Sequence, residues 1–408
     1  MIVKQSVIEF EKLGLGLYLH LGLYSLLEQG EWTLFSNQID TECYEALAKE
    51  FAPQIGWARK IATFAKGIGC KYMTITTRHH DGFSLYDTRG LNTYDAPHFC
   101  KRDLIREFVD ACREYGLQPF FYHTLLDWRE PTFEADFPAY QKYLRSSIQL
   151  LCTNYGKIGG FLLDGQWSKP EADWEEDALY AMIRNHQPDC IIINNTGLEA
   201  LGKTGHIELD SVTYERGKPH RLPEDAPKYL AGEVSESVCS HWGCATQDMS
   251  YKSPADLIRI LAGCRRFGAN FLLNVGPLAD GSLQPIDIAI LEKLGKWVGI
   301  YEEALRNPRP TYIDVTNNPD DFLLKDGKNY YLFCDHLPTD ADPNVAATKI
   351  FDGYSDEFLL PETIQSITWL DNGESVSFTQ TGSAVTVHTT PFVYGRNTVI
   401  RVAKIICK

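Results

Sequence analysis

Short unbroken apolar runs recur through the first three quarters of the chain, and nearly all of them stop on a polar or charged side chain. They fall at 15–20, 71–76, 117–122, 158–163, 190–195 and 270–275, with less regular ones at 207–214 and 230–234. A strand of a parallel sheet is buried on both faces, so it reads as a continuous apolar run and not an alternating one. Between these runs the spacing changes to that of a helix. Trp57, Ile61, Phe64, Ala65 and Ile68 share one face of a segment that ends at Gly67. Leu104, Phe108, Val109 and Cys112 do the same in 103–115, which Gly116 closes. Further helices are expected at 138–155, 174–185, 254–267, where Pro254 suits a first turn, and 284–304. Strands alternating with helices imply a parallel sheet with helical crossovers, and eight strands imply an α/β fold of the (β/α)8 type. The sixth and seventh units have no helical pattern, so the (β/α)8-like barrel should be irregular.

The period changes after Asn307-Pro308-Arg309-Pro310. Alternating apolar and polar positions follow at 329–334, 366–370, 375–378, 384–388 and 397–405, and Asp371-Asn372-Gly373-Glu374 is a tight-turn signal between two of these strands. The expected organisation is a catalytic barrel over 1–306 and a small C-terminal all-β sandwich over 307–408.

Composition narrows the function. Of 408 residues, 44% are hydrophobic and 23% charged, which supplies an ordinary core. The formal charge of −15 opposes binding to a phosphate backbone, so no nucleic-acid partner is expected. No apolar run is long enough to span a bilayer, and the first residues lack a signal-peptide pattern, so no membrane partner is expected. The 11 cysteines are odd in number and form no CxxC pair, which suits reduced thiols and a cytoplasmic location. Aromatics make up 12%, and such rings serve either as platforms for sugars or as core filling.

Barrel enzymes carry their chemistry where strands end. Those ends are His20, His79 with His80, Tyr122 with His123, Asp164, Asn194 with Asn195, Glu215, Glu233 and Asn274. Polar groups concentrate there while the strands stay apolar. Acidic groups on different strands, surrounded by imidazoles and aromatic rings, suit glycoside hydrolysis, in which one carboxylate attacks the anomeric carbon and one carboxylic acid protonates the leaving oxygen. Asp164, at the end of Gly160-Phe161-Leu162-Leu163, could equally cap a following helix. His79 and His80 could begin a metal site, but no HExxH-like spacing supplies a third ligand, so neither metal nor cofactor is expected.

Several blocks resemble the glycoside hydrolase family 29 α-L-fucosidases, of a bacterial and cytoplasmic type. They are Gly16 to Ser25 (Gly-Leu-Tyr-Leu-His-Leu-Gly-Leu-Tyr-Ser), Gly30-Glu31-Trp32, Thr77-Arg78-His79-His80-Asp81-Gly82-Phe83, Leu163-Asp164-Gly165, and Asn270-Phe271-Leu272-Leu273-Asn274-Val275-Gly276-Pro277 with Asp280-Gly281. The resemblance implies retaining hydrolysis of terminal α-linked L-fucose from an oligosaccharide or glycoconjugate by double displacement. It makes Asp164 the nucleophile and implies that His20, Glu31, Trp32, His79, His80 and Tyr122 bind the sugar. Trp167 and Trp242 either shape subsites or pack. The acid/base position varies in the family. Asp210-Ser211-Val212-Thr213-Tyr214-Glu215 resembles a block whose Glu has that role, so Glu215 is the first choice, with Glu233 and Glu236 as alternatives. The family usually has His-Trp-Gly where this chain has His20-Leu21-Gly22, and an arginine of some members is replaced at Thr196 or its neighbour. Two other readings remain at this stage: a non-catalytic fucose-binding protein, and a metal-dependent hydrolase using His79 and His80. A homo-oligomer is compatible with the sequence.

Overall fold

The computed structural model describes residues 3–221, 228–339 and 352–408. The chain divides into two compact units, Met1–Lys252 with Ala269–Ile290, and Ser253–Gly268 with Leu291–Lys408.

The first unit is built on eight parallel strands: β1 (Leu15–Leu19), β2 (Tyr72–Arg78), β3 (Gln118–Thr124), β4 (Gly160–Asp164), β5 (Ile191–Asn194), β6 (Ser211–Thr213), β7 (Ala231–Ser237) and β8 (Ala269–Val275). Their order is β5-β4-β3-β2-β1-β8-β7-β6. First and last strands are neighbours, with Leu17 beside Leu273, as a barrel requires. The ladder is open at one seam, between β5 and β6. There Asp210 spans the gap: its backbone N–H donates to the Ile192 carbonyl (2.9 Å) and its carboxylate accepts from the Ile192 N–H (3.1 Å). Among the described residues no helix lies between β5 and β6 or between β6 and β7, so the sixth and seventh strands are reached without a helical crossover, while the helix Pro254–Arg266 follows β7.

Inward side chains follow the two-residue pleat. Tyr18, Tyr72, Phe120, Tyr122, Leu162, Ile191, Ile193 and Leu272 share one buried cluster with Phe10 of the N-terminal helix Gln5–Glu11. The Phe10 ring lies 5.9 Å from Tyr72 and 5.5 Å from Phe120. A Cβ on Gly160 would stand 2.4 Å from the Phe120 ring, so glycine there makes room for the aromatic layer. Truncating a ring such as Phe120 to alanine costs about 3–5 kcal/mol. A wide, filled floor is what lets the opposite end of the barrel open as a pocket.

In the second unit a five-stranded antiparallel sheet has the order β13-β16-β11-β10-β9, and a three-stranded one β12-β15-β14. These strands are β9 (Arg309–Asp314), β10 (Phe322–Asp326), β11 (Asn329–Cys334), β12 (Ser355–Leu359), β13 (Ile364–Trp369), β14 (Ser377–Thr381), β15 (Ala384–His388) and β16 (Arg401–Cys407). Leu332, Ile367, Trp369 and Ile405 of one sheet share a core with Phe358, Val385 and Val387 of the other, which makes the sandwich. The Asp371-Asn372-Gly373 turn forms, with Gly373 at φ 74 and the Trp369 N–H donating to the Glu374 carbonyl. It joins β13 to β14 as expected: the Val376 N–H donates to the Ile367 carbonyl and Thr368 bridges Ser375, after which β14 pairs with β15 in the other sheet.

Candidate active site

The carboxyl ends of β1 to β7 surround a cavity of about 830 Å³. Of the residues expected in a site, His20, Glu31, Trp32, His79, His80, Tyr122, Asp164, Trp167, Glu215 and Trp242 line it. Glu233 and Glu236 do not.

Asp164 ends β4, and three donors converge on its two oxygens. Tyr122 O–H donates to Oδ2 (2.8 Å), while Trp167 Nε1–H (3.0 Å) and Asn195 Nδ2–H (3.1 Å) donate to Oδ1. The next residue makes this possible. Gly165 has φ 113, a left-handed conformation, and a Cβ there would lie 2.9 Å from the Leu126 nitrogen. The short turn Gln166–Ser168 then folds Trp167 back over the carboxylate. Asp164 therefore does not serve as a helix cap.

Glu215 lies two residues beyond the end of β6. Asn195 Nδ2 also donates to its Oε2, at 2.6 Å, so one amide nitrogen touches both carboxylates. Oxygens 3.1 Å and 2.6 Å from one nitrogen can be no further apart than the sum, about 5.7 Å. Burial, then the charge of Asp164, pushes the Glu215 carboxyl above its ordinary range. A carboxyl raised in this way is suited to hold a proton and give it up, as an acid partner must.

The histidines are neutral, and the hydrogen-bond network assigns their tautomers. Asn274 spends both amide hydrogens, on Ser237 Oγ (3.1 Å) and the Trp242 carbonyl (2.8 Å), so its oxygen accepts from His20 Nδ1–H (2.7 Å). The Thr124 hydroxyl donates to the Leu126 carbonyl (2.6 Å), so its oxygen accepts from His80 Nδ1–H (2.7 Å). Each Nε2 is left as an acceptor, and that of His80 lies 3.6 Å from Asp164 Oδ2. Burial lowers His20 to about 3 and His80 to about 4, and lowers His79 as well. Among the described residues, the group of three side chains close enough to share a metal ion is Asp321, Cys334 and Asp356 in the sandwich, not one around His79 and His80.

Glu31 Oε2 accepts from the Trp242 (3.0 Å) and Gly243 (2.7 Å) N–H groups, which ties the loop after β1 to the loop after β7. Trp32 forms the opposite wall, stacked 6.1 Å from Trp167 and edge-to-face with His80 at 5.5 Å. The Arg216 guanidinium lies 4.9 Å over the Trp242 ring.

The two alternative glutamates are excluded from the cavity by the register of β7. That strand runs to Ser237 and lines the cavity with Ser235, so Glu233 sits one pleat lower, inside the barrel. There it accepts from Tyr72 O–H (2.8 Å), and burial raises it to about 7. Glu236 has the opposite parity and meets Lys252 (3.2 Å). Of the other strand-end residues, His123 is fully buried between Thr77 and Ser147. Sequence reasoning missed Tyr18, Arg216 and most of the wall within 196–203, where Thr196, Gly197, Leu198, Glu199, Ala200 and Lys203 line the cavity. It placed Asn195 at a strand end without the bridging role, which only a known β5–β6 geometry reveals.

A barrel with this site belongs among the glycoside hydrolases. The family model described as Alpha-L-fucosidase matches residues 3–303, and the chain belongs to that family. It is 27% identical over 377 residues to tissue alpha-L-fucosidase of Rattus norvegicus, covering 84% of this chain and 79% of the relative. Against the human tissue alpha-L-fucosidase the figures are 24% over 344 residues, 76% and 71%. Alpha-L-fucosidase isoenzyme 1 from Paenibacillus thiaminolyticus superposes with a TM-score of 0.82 at 25% identity, covering 99% of both chains. A GH29 alpha-L-fucosidase of Bacteroides thetaiotaomicron, solved as a trapped covalent intermediate with 2-fluoro-fucosyl fluoride, superposes at 0.83 with 21% identity, covering 99% and 96%.

Proposed function

We propose that this chain is a retaining α-L-fucosidase that removes terminal α-linked L-fucose from oligosaccharides or glycoconjugates. Asp164 attacks the anomeric carbon as Glu215 gives its proton to the leaving oxygen. Glu215 then takes a proton from the water that cleaves the fucosyl ester. The observation that carries this reading is the shared Asn195 amide. Two of their oxygens lie at most about 5.7 Å apart, which favours the close carboxyl pair of retaining enzymes, roughly 5–5.5 Å, over the roughly 6.5–9.5 Å that inverting ones need for a water. The acceptor nitrogens of His20 and His80, with Glu31 and His79, are suited to sugar hydroxyls, Tyr122 to holding the nucleophile beside the ring, and the faces of Trp32, Trp167 and Trp242 to apolar ring faces and the methyl group. The presence of both carboxylates in one pocket favours an enzyme over a fucose-binding protein.

Among the described residues no helix is long and apolar enough to cross a membrane. All 11 cysteines are free, which supports a cytoplasmic location.

The test uses a chromogenic α-L-fucoside. Asp164→Gly should lose about 10⁴-fold in kcat, and azide should restore turnover with formation of fucosyl azide. In the wild type, proton NMR of the first product should show α-fucose. A β-fucose product, or a fully active glycine variant, sinks the double-displacement reading.

A further inference from the structure

A second cavity, of about 330 Å³, opens on the same face of the barrel behind the aromatic wall of the first. It is assembled from the loop after β1, with its helices Thr33–Ser36 and Thr41–Ala46, and from the loops after β2 and β3. None of its lining residues lines the first cavity, although Trp128 packs against Trp32 and His80 from behind. On one side Phe35 stacks on Trp128, centroids 5.5 Å apart and planes at 25°. Phe35 is 61% exposed, an unusual cost for a phenyl ring with nothing on it. On the other side stand groups of both hydrogen-bonding senses. Asp81 is buried and accepts from Tyr44 O–H (2.7 Å) and the Phe83 N–H (3.2 Å). Glu45 accepts from Arg129 Nε–H, and the Arg129 guanidinium lies 4.4 Å over the Tyr94 ring. Tyr94 is 3% exposed, and its hydroxyl has no hydrogen-bond partner. A buried donor left unpaired is costly, so a ligand group that accepts from it gains affinity.

We infer that this cavity is a second saccharide site, which takes one neutral pyranose with an apolar face on Phe35 and Trp128. The chemistry selects the class. An aromatic face beside carboxylates, a guanidinium and a phenol matches a ring that is apolar on one face and carries hydroxyls able both to donate and to accept. Two carboxylates oppose an anion, and the Glu45–Arg129 pair leaves little net field to draw a cation. The volume is at the small end for ligand pockets and suits a single ring. The inference does not depend on the hydrolytic reading, because the cavity stands whether or not Asp164 is a nucleophile. Trp128 also touches Trp32, 5.0 Å away, so an occupied second site bears on the wall of the first.

Saturation-transfer NMR tests it with the full chain and the first cavity filled by a fucose-configured iminocyclitol. D-galactose, N-acetyl-D-glucosamine and L-fucose are the probes, and methyl-ammonium glucoside and glucuronate serve as charged controls. Wild type should give transfer to at least one neutral sugar. Phe35→Ala should weaken that binding about tenfold, and the isosteric Tyr94→Phe several-fold, with Tyr94→Phe leaving turnover of a chromogenic fucoside unchanged. Absence of transfer to all three neutral sugars overturns the inference. So does a signal untouched by both substitutions, or preferential binding of either charged control.

Discussion

The two ends of the barrel interior both hold buried carboxylates, and they use them in opposite ways. At the amino-terminal end Asp210 is ringed by cations: Lys4 at 3.2 Å, Lys228 at 3.6 Å and Arg184. It also accepts from Ile192 across the seam. Nearby, Glu233 gives an oxygen to Tyr72 and faces an aromatic layer. At the carboxyl-terminal end Asp164 and Glu215 accept hydrogen bonds only from neutral phenol, indole and amide groups, and they border open space. A carboxylate whose charge is met by cations has its role in the fold. One held in place by neutral dipoles keeps its charge available to a substrate that develops positive charge at the anomeric carbon.

The contrast can be broken from either side. The largest effect belongs to the pair Asp164→Ala and Asp210→Ala. The first should cut kcat about 10⁴-fold while thermal unfolding stays near wild type. The second should do the reverse, costing about 3–5 kcal/mol in a denaturant titration because it strands three cations, with kcat of the folded fraction nearly intact. Next come the glutamates. Glu215→Gln should lose about 10²–10⁴-fold on a poor leaving group and far less on an activated aryl fucoside. Glu233→Gln should keep its activity and change only the pH dependence of stability. The native group titrates near 7 and the unfolded one near 4.5, so the folded state holds the extra proton and stability falls as pH rises through that window. The variant lacks this decline and should gain on wild type by about 2 kcal/mol between pH 5 and pH 8. A smaller effect is expected from Asn195→Ala, about tenfold in kcat, with the limb of the pH–rate profile set by Glu215 moved to higher pH, because the amide that lowers that carboxyl is gone. The histidines are tested through stability and not through turnover. His20 and His80 resist protonation in the fold and accept it near 6.5 when unfolded, so stability should fall as pH drops below 6.5 towards 4, by about 1.4 kcal/mol per pH unit for each. A melting temperature flat over that range would contradict their burial as neutral rings.

The barrel was legible because a strand buried on both faces has to be apolar throughout, and all eight runs became strands. The C-terminal sheets were less so. β10 is only five residues long and ends on Lys325-Asp326, and β12 alternates with an exposed leucine, so neither stands out against loop composition. The Asp371-Asn372-Gly373 turn was readable because its chemistry is local, whereas the choice of partner for β14 is made by packing between sheets. Within the site, Asp164, His20 and the His79-His80 pair were legible at strand ends. Glu233 misled because the apolar run of β7 breaks two residues in, at a buried glutamate that a shorter strand would have put at the rim. Glu236 was ambiguous for another reason: a shift of one residue turns a side chain to the opposite face. Asn195 required knowing that two strands converge.

The seam between β5 and β6 has one more consequence. After β1 to β4 the cavity wall hangs from a loop between a strand and the helix that crosses to the next, so lengthening the wall disturbs the frame. Between Asn194 and Asp210 no helix has to be re-seated, and the seam is bridged by Asp210 and, from the wall, by the Thr196 and Gly202 N–H groups, which donate to Thr213. Between those two anchors the wall is an interchangeable part. Its length and composition can be rewritten, and with them the fit to whatever group departs from fucose, while the machinery that cuts the bond keeps its alignment.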